Sequence, residues 1–187
     1  MQGAKILVLD DETGVLLAVS RLLSVELDAP VQTTSEPEEA LRLLERGRHQ
    51  VFITDYHMPG MNGVQVLQRA RSIAPDAVRI LLTGRAEMEH LAAAINSGKV
   101  FRYVAKPWDN AELVQVVREA IAYHEAAVRS RDELADSERE RRSLVSAVSL
   151  VSDIQRSLLP EGDIKVHGAL AACSYTPCEH ATGDYVD

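Results

Sequence analysis

Five polar residues stand where a folded chain could use them for chemistry: Asp10 and Asp11, Asp55, Thr83 and Lys106. Each closes or follows a short apolar run. Three carboxylates brought close together in a partly desolvated cleft repel one another strongly. Either one of them takes a proton or a divalent cation neutralises the set. Donors that are all oxygen suit Mg²⁺, which keeps several waters and shares its shell with a phosphate. Beside such an ion Asp55 has the makings of a carboxylate nucleophile that accepts a phosphoryl group as an acyl phosphate. Lys106 would offer a cation to the phosphoryl oxygens and Thr83 a hydroxyl donor, with Gly84 leaving room beside it. An aspartate after a strand is often only a helix cap. Asp55, however, is followed by a Pro59-Gly60 turn and not by a helix.

The elements that must carry these residues follow from the hydrophobic spacing. Lys5 to Leu9 reads as a buried strand. Thr13 to Leu27 has apolar residues at helical spacing, and Asp28-Ala29-Pro30 breaks it. Val31 to Thr34 is short and polar, an edge strand. Ser35-Glu36-Pro37-Glu38 has the pattern of a capping box, opening a helix from Glu36 to Arg46 that Gly47 ends. Val51 to Thr54 is the third strand, followed by a helix from about Gly63 to Ser72. Ala77 to Thr83 is the fourth strand and Glu87 to Ser97 the fourth helix. Val100 to Val104 is the fifth strand, and Asp109 to Glu112 caps a further helix. Strand runs alternating with helices predict a doubly wound parallel sheet covered on both faces. Ligands in such sheets bind beyond the carboxyl ends of the strands, where all five polar residues would meet.

Asp10-Asp11, Asp55 with Met58-Pro59-Gly60-Met61-Asn62-Gly63, Thr83-Gly84 and Lys106-Pro107 together resemble the receiver domain of two-component response regulators, over roughly residues 4 to 122. The resemblance implies a flavodoxin-like fold of five strands in the order 2-1-3-4-5, the order that the general account of doubly wound folds gives for a member of this family. It implies that Asp55 receives a phosphoryl group from the phosphohistidine of a sensor histidine kinase or a phosphotransfer protein. It implies Mg²⁺ held by Asp11, Asp55 and the backbone carbonyl of His57, with Asp10 acting through water. It further implies that Thr83 and Tyr103 switch on phosphorylation and that the Lys106–Pro107 bond is cis. His57 and Arg85 flank the site and are expected to set the lifetime of the acyl phosphate through water access.

From Asp109 to Leu159 there is neither Gly nor Pro. One continuous helix is expected, roughly 75 Å long at the α-helical rise. Leu113, Val114, Val117, Ala120 and Ile121 would pack it on the sheet. The mostly charged stretch from Arg129 to Arg142 suits solvent alone. Apolar spacing then resumes at Leu144, Val148, Val151, Gln155 and Leu158 in alternating steps of four and three, as in a coiled coil that would make a homodimer. The alternative is a seam that packs on a following domain.

Ile154-Gln155-Arg156-Ser157-Leu158-Leu159-Pro160, Ala172-Cys173-Ser174-Tyr175-Thr176-Pro177 and Thr182-Gly183-Asp184-Tyr185-Val186-Asp187 resemble the start of the PPM-class (SpoIIE-like) metal-dependent serine/threonine phosphatases. Thr182 stands where that pattern has glycine, and Cys178 where it has a small residue. The resemblance implies that Asp184 binds a catalytic metal, Mn²⁺ or Mg²⁺ in a complete domain. The expected organisation is a receiver over 1–124, a helical coiled-coil linker over 125–159 and a truncated phosphatase start over 160–187. Such a short piece cannot build a catalytic core. Alternative outputs are a non-catalytic protein-binding adaptor, or a cyclic-dinucleotide phosphodiesterase, since Lys-Pro-Trp receivers also occur there. Cys173, Cys178 and His180 are too few and too badly placed for a zinc site.

The bulk numbers narrow the field further. Lys plus Arg is 20 and Asp plus Glu is 28, for a formal charge of −8. That disfavours non-specific binding to nucleic acid or anionic membrane. No apolar run reaches the length of a membrane span. Two cysteines make no disulfide framework and fit a reducing, cytoplasmic setting.

Overall fold

A computed structural model describes residues 4–84, 100–158, 164–166 and 169–171. Two compact units divide the chain, residues 1–130 and 131–187. The first holds strands β1 (Ile6–Leu9), β2 (Val31–Thr34), β3 (Val51–Asp55), β4 (Val78–Gly84) and β5 (Arg102–Lys106). They form one parallel sheet in the order β2-β1-β3-β4-β5, the expected flavodoxin-like arrangement. Helices α1 (Thr13–Leu27), α2 (Pro37–Arg46) and α3 (Gly63–Ile73) connect the strands, and α4 runs over Asn110–Leu158. The helix expected at Glu87 to Ser97 lies outside the described residues.

The sheet is buried on both faces because alternate strand residues point to opposite sides. Ile6, Val8, Ile53, Ile80, Leu82 and Val104 face a layer containing Leu16, Val19 and Leu23 of α1 and Leu113, Val117 and Ala120 of α4. Leu7, Leu9, Phe52 and Leu81 face Ala40, Leu41 and Leu44 of α2 and Val66, Leu67 and Ala70 of α3. Phe52 is fully buried, and truncating such a side chain to alanine costs about 3–5 kcal/mol.

Two local expectations are corrected. The Ser35 capping box does not form: Glu36 is the N-cap of α2 and makes no side-chain cap. The backbone N–H of Glu36 instead donates to Thr34 Oγ1 at 3.2 Å, and Thr34 in turn donates to Glu39. The fifth strand lies two residues later than its apolar run suggested. Its ladder begins where Arg102 pairs with Ile80 and runs to Lys106 opposite Gly84, so Lys106 is the last strand residue and does not follow the strand. In the second unit, β6 (Ile164–Val166) and β7 (Ala169–Ala171) pair as an antiparallel hairpin. No helix among the described residues is long and apolar enough to cross a membrane.

Candidate functional site at the carboxyl edge of the sheet

Three strand ends deliver the charged groups. Asp10 follows β1, Asp55 closes β3 and Lys106 closes β5. Lys106 Nζ lies 2.8 Å from Asp10 Oδ2 and 2.6 Å from Asp55 Oδ1. Both carboxylates are buried, and the lysine side chain is 21% exposed. The second Asp10 oxygen, Oδ1, accepts the backbone N–H of Glu12 at 2.9 Å. Thr83 is buried on β4 between them in the sheet order, and its hydroxyl donates to the Gly84 carbonyl at 3.4 Å. The Lys106–Pro107 peptide bond is cis.

Electrostatics fits this geometry. Burial pushes the Asp55 carboxyl above the ordinary carboxylate range, and the charge of Asp10 adds to the rise. The hydrogen bond and charge of Lys106 and the backbone N–H of His57 offset part of it. Burial works against the Lys106 ammonium, but the hydrogen bonds and charges of Asp10 and Asp55 outweigh it and hold its pKa above the usual value. The lysine is thus a fixed cation shared by two carboxylates.

The loop after β3 is built to keep that edge open. Gly60 has φ +78°, a conformation that glycine adopts without a Cβ penalty. Asn62 and Gln65 form a reciprocal capping box, with Gln65 N–H donating to Asn62 Oδ1 at 2.9 Å and Asn62 N–H to Gln65 Oε1 at 3.1 Å. Gly63 then packs so tightly beneath Asp55 that a Cβ there would fall 2.1 Å from the Asp55 carbonyl oxygen. Its N–H donates to the Tyr56 carbonyl at 2.9 Å.

The remaining predicted residues are placed less centrally. Asp11 is exposed beside Asp10, and His57 is exposed two residues past Asp55. Tyr103 is 38% exposed on β5, opposite Leu81. Arg85 and Asp184 lie outside the described residues. Sequence reasoning missed Glu12, whose carboxylate stands 4.0 Å from Lys106 Nζ, and the packing role of Gly63. The Asn62-Gly63-Val64-Gln65 spacing signals the capping box that opens α3, but nothing in it signals the closeness of Gly63 to Asp55.

The donor set fits Mg²⁺. Asp10, Asp11 and Asp55 against Lys106 leave two negative charges uncompensated, which a dication matches. Among the described residues no three His, Cys, Asp or Glu side chains form a metal-holding group, so the fit rests on the oxygen chemistry and the net charge of the set alone.

The response regulator receiver domain family matches residues 6–118. The chain belongs to that family. Among similar proteins, the hydrogenase transcriptional regulatory protein HoxA of Cupriavidus necator is 37% identical over 118 residues, covering 63% of this chain and 24% of that protein. The present chain therefore spans about a quarter of that relative's length. A solved adenylate cyclase chain from Rhodopirellula baltica is 32% identical with a TM-score of 0.66, covering 72% of this chain and 98% of that one. A response regulator receiver domain from Clostridium thermocellum is 32% identical with a TM-score of 0.62, covering 66% of this chain and 98% of that one. Receiver domains bind Mg²⁺ and exchange phosphoryl groups with histidine kinases or phosphotransfer proteins, so this chain carries the receiver of a two-component response regulator. The family match stops at residue 118, and these comparisons lend no support to the phosphatase resemblance beyond it.

Proposed function

We propose that Asp55 is the phosphoacceptor and that Asp10, Asp11, Thr83 and Lys106 are its working partners. The observation that carries this is the ammonium of Lys106 held within hydrogen-bond distance of both Asp10 and Asp55 at the carboxyl edge of the sheet. An Asp55 oxygen attacks phosphorus as the bond to the donor histidine nitrogen breaks. The imidazole departs, and Asp55 becomes an acyl phosphate. Lys106, already aimed at Asp55, meets the negative charge on the phosphoryl oxygens. The Thr83 hydroxyl and the Gly84 backbone line the space beside it. Asp11, Asp55 and the His57 carbonyl would hold Mg²⁺, which would supply charge stabilisation to the transferring group. The test is phosphate incorporation from a small acyl-phosphate donor with Mg²⁺ and with chelator. Incorporation that is equal in both arms contradicts the reading.

For the output, the receiver (1–124) passes its state through Thr83, Tyr103 and the helical linker (125–159), which dimerises, to a PPM-type phosphatase that begins at 160–187. Support comes from the Gln155 to Pro160 pattern, the Thr182-Gly183-Asp184 pattern and the antiparallel hairpin that follows α4. Asp184 would then ligate Mn²⁺ or Mg²⁺. A transcriptional output is the second reading, favoured by what HoxA is named for. Hydrolysis of a phosphoserine peptide by the full-length protein, lost in Asp184→Asn, separates the two. Absence of hydrolysis in the unaltered protein with Mn²⁺ supplied sinks the phosphatase output.

A further inference from the structure

Lys106 has a third carboxylate neighbour besides Asp10 and Asp55. Glu12 Oε1 stands 4.0 Å from its Nζ, beyond hydrogen-bond reach, so the two meet through charge alone. The Glu12 side chain is 71% exposed, against 0% for Asp10 and 7% for Asp55. Glu12 thus flanks the ammonium on its solvent side, the side from which a phosphodonor must arrive.

The backbone fixes it there. The Glu12 N–H donates to Asp10 Oδ1 at 2.9 Å. Its carbonyl accepts the N–H groups of Val15 at 3.0 Å and Leu16 at 3.1 Å as α1 begins. Glu12 is the N-cap of α1, yet its side chain makes no capping hydrogen bond. A side chain at that position ordinarily serves the helix's own N–H groups; this one is left to face Lys106. Asp10, Asp11, Glu12 and Asp55 set four carboxylates against one ammonium. Even a dication added to that set leaves it negative.

We infer that Glu12 is a specificity-determining residue of the phosphorylation reaction, holding back small anionic phosphodonors through its charge beside the Lys106 ammonium. It acts through Lys106 and touches no reacting atom. A small acyl phosphate arrives as a dianion, and the Glu12 carboxylate both repels it and weakens the pull of the lysine. When it reacts, an Asp55 oxygen bonds to phosphorus, the bond from phosphorus to the acyl oxygen breaks, and the carboxylate leaves with the electron pair. A phosphohistidine carried on a protein brings binding energy from contacts outside the site. The same charge therefore hinders it less, and input is kept for the protein donor.

The inference rests on Asp55 as the phosphoacceptor. The test follows the rate of phosphoryl uptake by intact mass, with acetyl phosphate below saturation and Mg²⁺ at saturation. It is run in low salt and in about 1 M salt, where charges are screened beyond ~3 Å. In low salt Glu12→Gln is expected to speed uptake about threefold and Glu12→Lys about tenfold. Glu12→Asp, which keeps the charge, is expected to bring the rate back to within about twofold of the unaltered chain. In high salt all four rates should converge to within about twofold. Rates that stay level or fall as the charge at position 12 is removed, or a rise that ignores salt, overturn the inference and leave Asp55 standing. No uptake by the unaltered chain, or equal uptake by Asp55→Asn, overturns the proposed function and the inference with it.

Discussion

The carboxyl edge of the sheet and the second half of α4 break the ordinary rules of burial in opposite directions. At the sheet edge, charged groups are buried: Asp10 is fully so, Asp55 nearly so, and Lys106 is held between them. On α4, large aliphatic side chains from Leu134 to Ile154 are exposed. Each departure marks a function, but of a different kind. Buried charge is tolerated only when it is paired, and one chain supplies the whole set at the edge. Exposed apolar surface on this scale calls for a cover, which on the proposed reading a second copy would supply. The first region then acts as a chemical site and the second as an interaction surface, and they should respond to different perturbations.

Four changes sharpen that contrast. The largest effect is expected from Gly63→Ala, which drives a Cβ into the Asp55 backbone carbonyl. The backbone has no flexible end to yield, so a loss of about 3 kcal/mol or more is expected in urea unfolding. Wild-type stability in that variant would show that the loop beneath the site is not rigid. Next, Lys106→Met leaves Asp10 and Asp55 facing one another without their cation. A loss of about 1–3 kcal/mol is expected in chelator, much of it recovered on adding Mg²⁺. A loss unchanged by Mg²⁺ would argue that the carboxylates do not form the ion's site.

Third, Val148→Asp places a charge on the α4 stripe. Dimerisation should fall by about tenfold or more while the melting transition of the receiver stays within about 0.5 kcal/mol of wild type. A destabilised receiver would mean that the stripe is packed within its own chain. The smallest effect concerns His49, which is buried at the opposite end of β3 with Nδ1 unpartnered and Nε2 3.2 Å from Gln32 Oε1. Burial, with the charge of Lys5 added, pushes its pKa below 6.5. The unfolded chain therefore takes up that proton first, and stability is lost as pH falls below about 6.5. His49→Gln should flatten that slope in thermal melts, whereas an unchanged slope would assign it to other groups.

Much of this was legible in the sequence because strand ends carry both kinds of information. Apolar runs at 6–9, 51–54 and 78–83 define the sheet, and the polar residue that ends each run lies at its carboxyl edge by construction. The length of α4 was legible too, since no Gly or Pro interrupts it. Four features were not. The fifth strand was misplaced by two residues because Val100 and Phe101 are apolar yet lie before the ladder, which starts at Arg102. The cap of α2 was assigned to Ser35 when Thr34, held by its place at the end of β2, took the Glu36 N–H. Gly63 looked like an ordinary helix start, because its closeness to Asp55 comes from tertiary packing that no spacing encodes. Composition likewise could not show that Lys106 would bridge Asp10 and Asp55, residues separated by most of the sheet in sequence.

The central claim is that Asp55 is the residue that receives the phosphoryl group. Intact-mass measurement of the chain after incubation with Mg²⁺ and a small acyl-phosphate donor tests it most directly, with Asp55→Asn alongside. One added phosphoryl group on the unaltered chain, absent from Asp55→Asn, is the predicted result. An unmodified parent chain, or an equally modified Asp55→Asn variant, would contradict it.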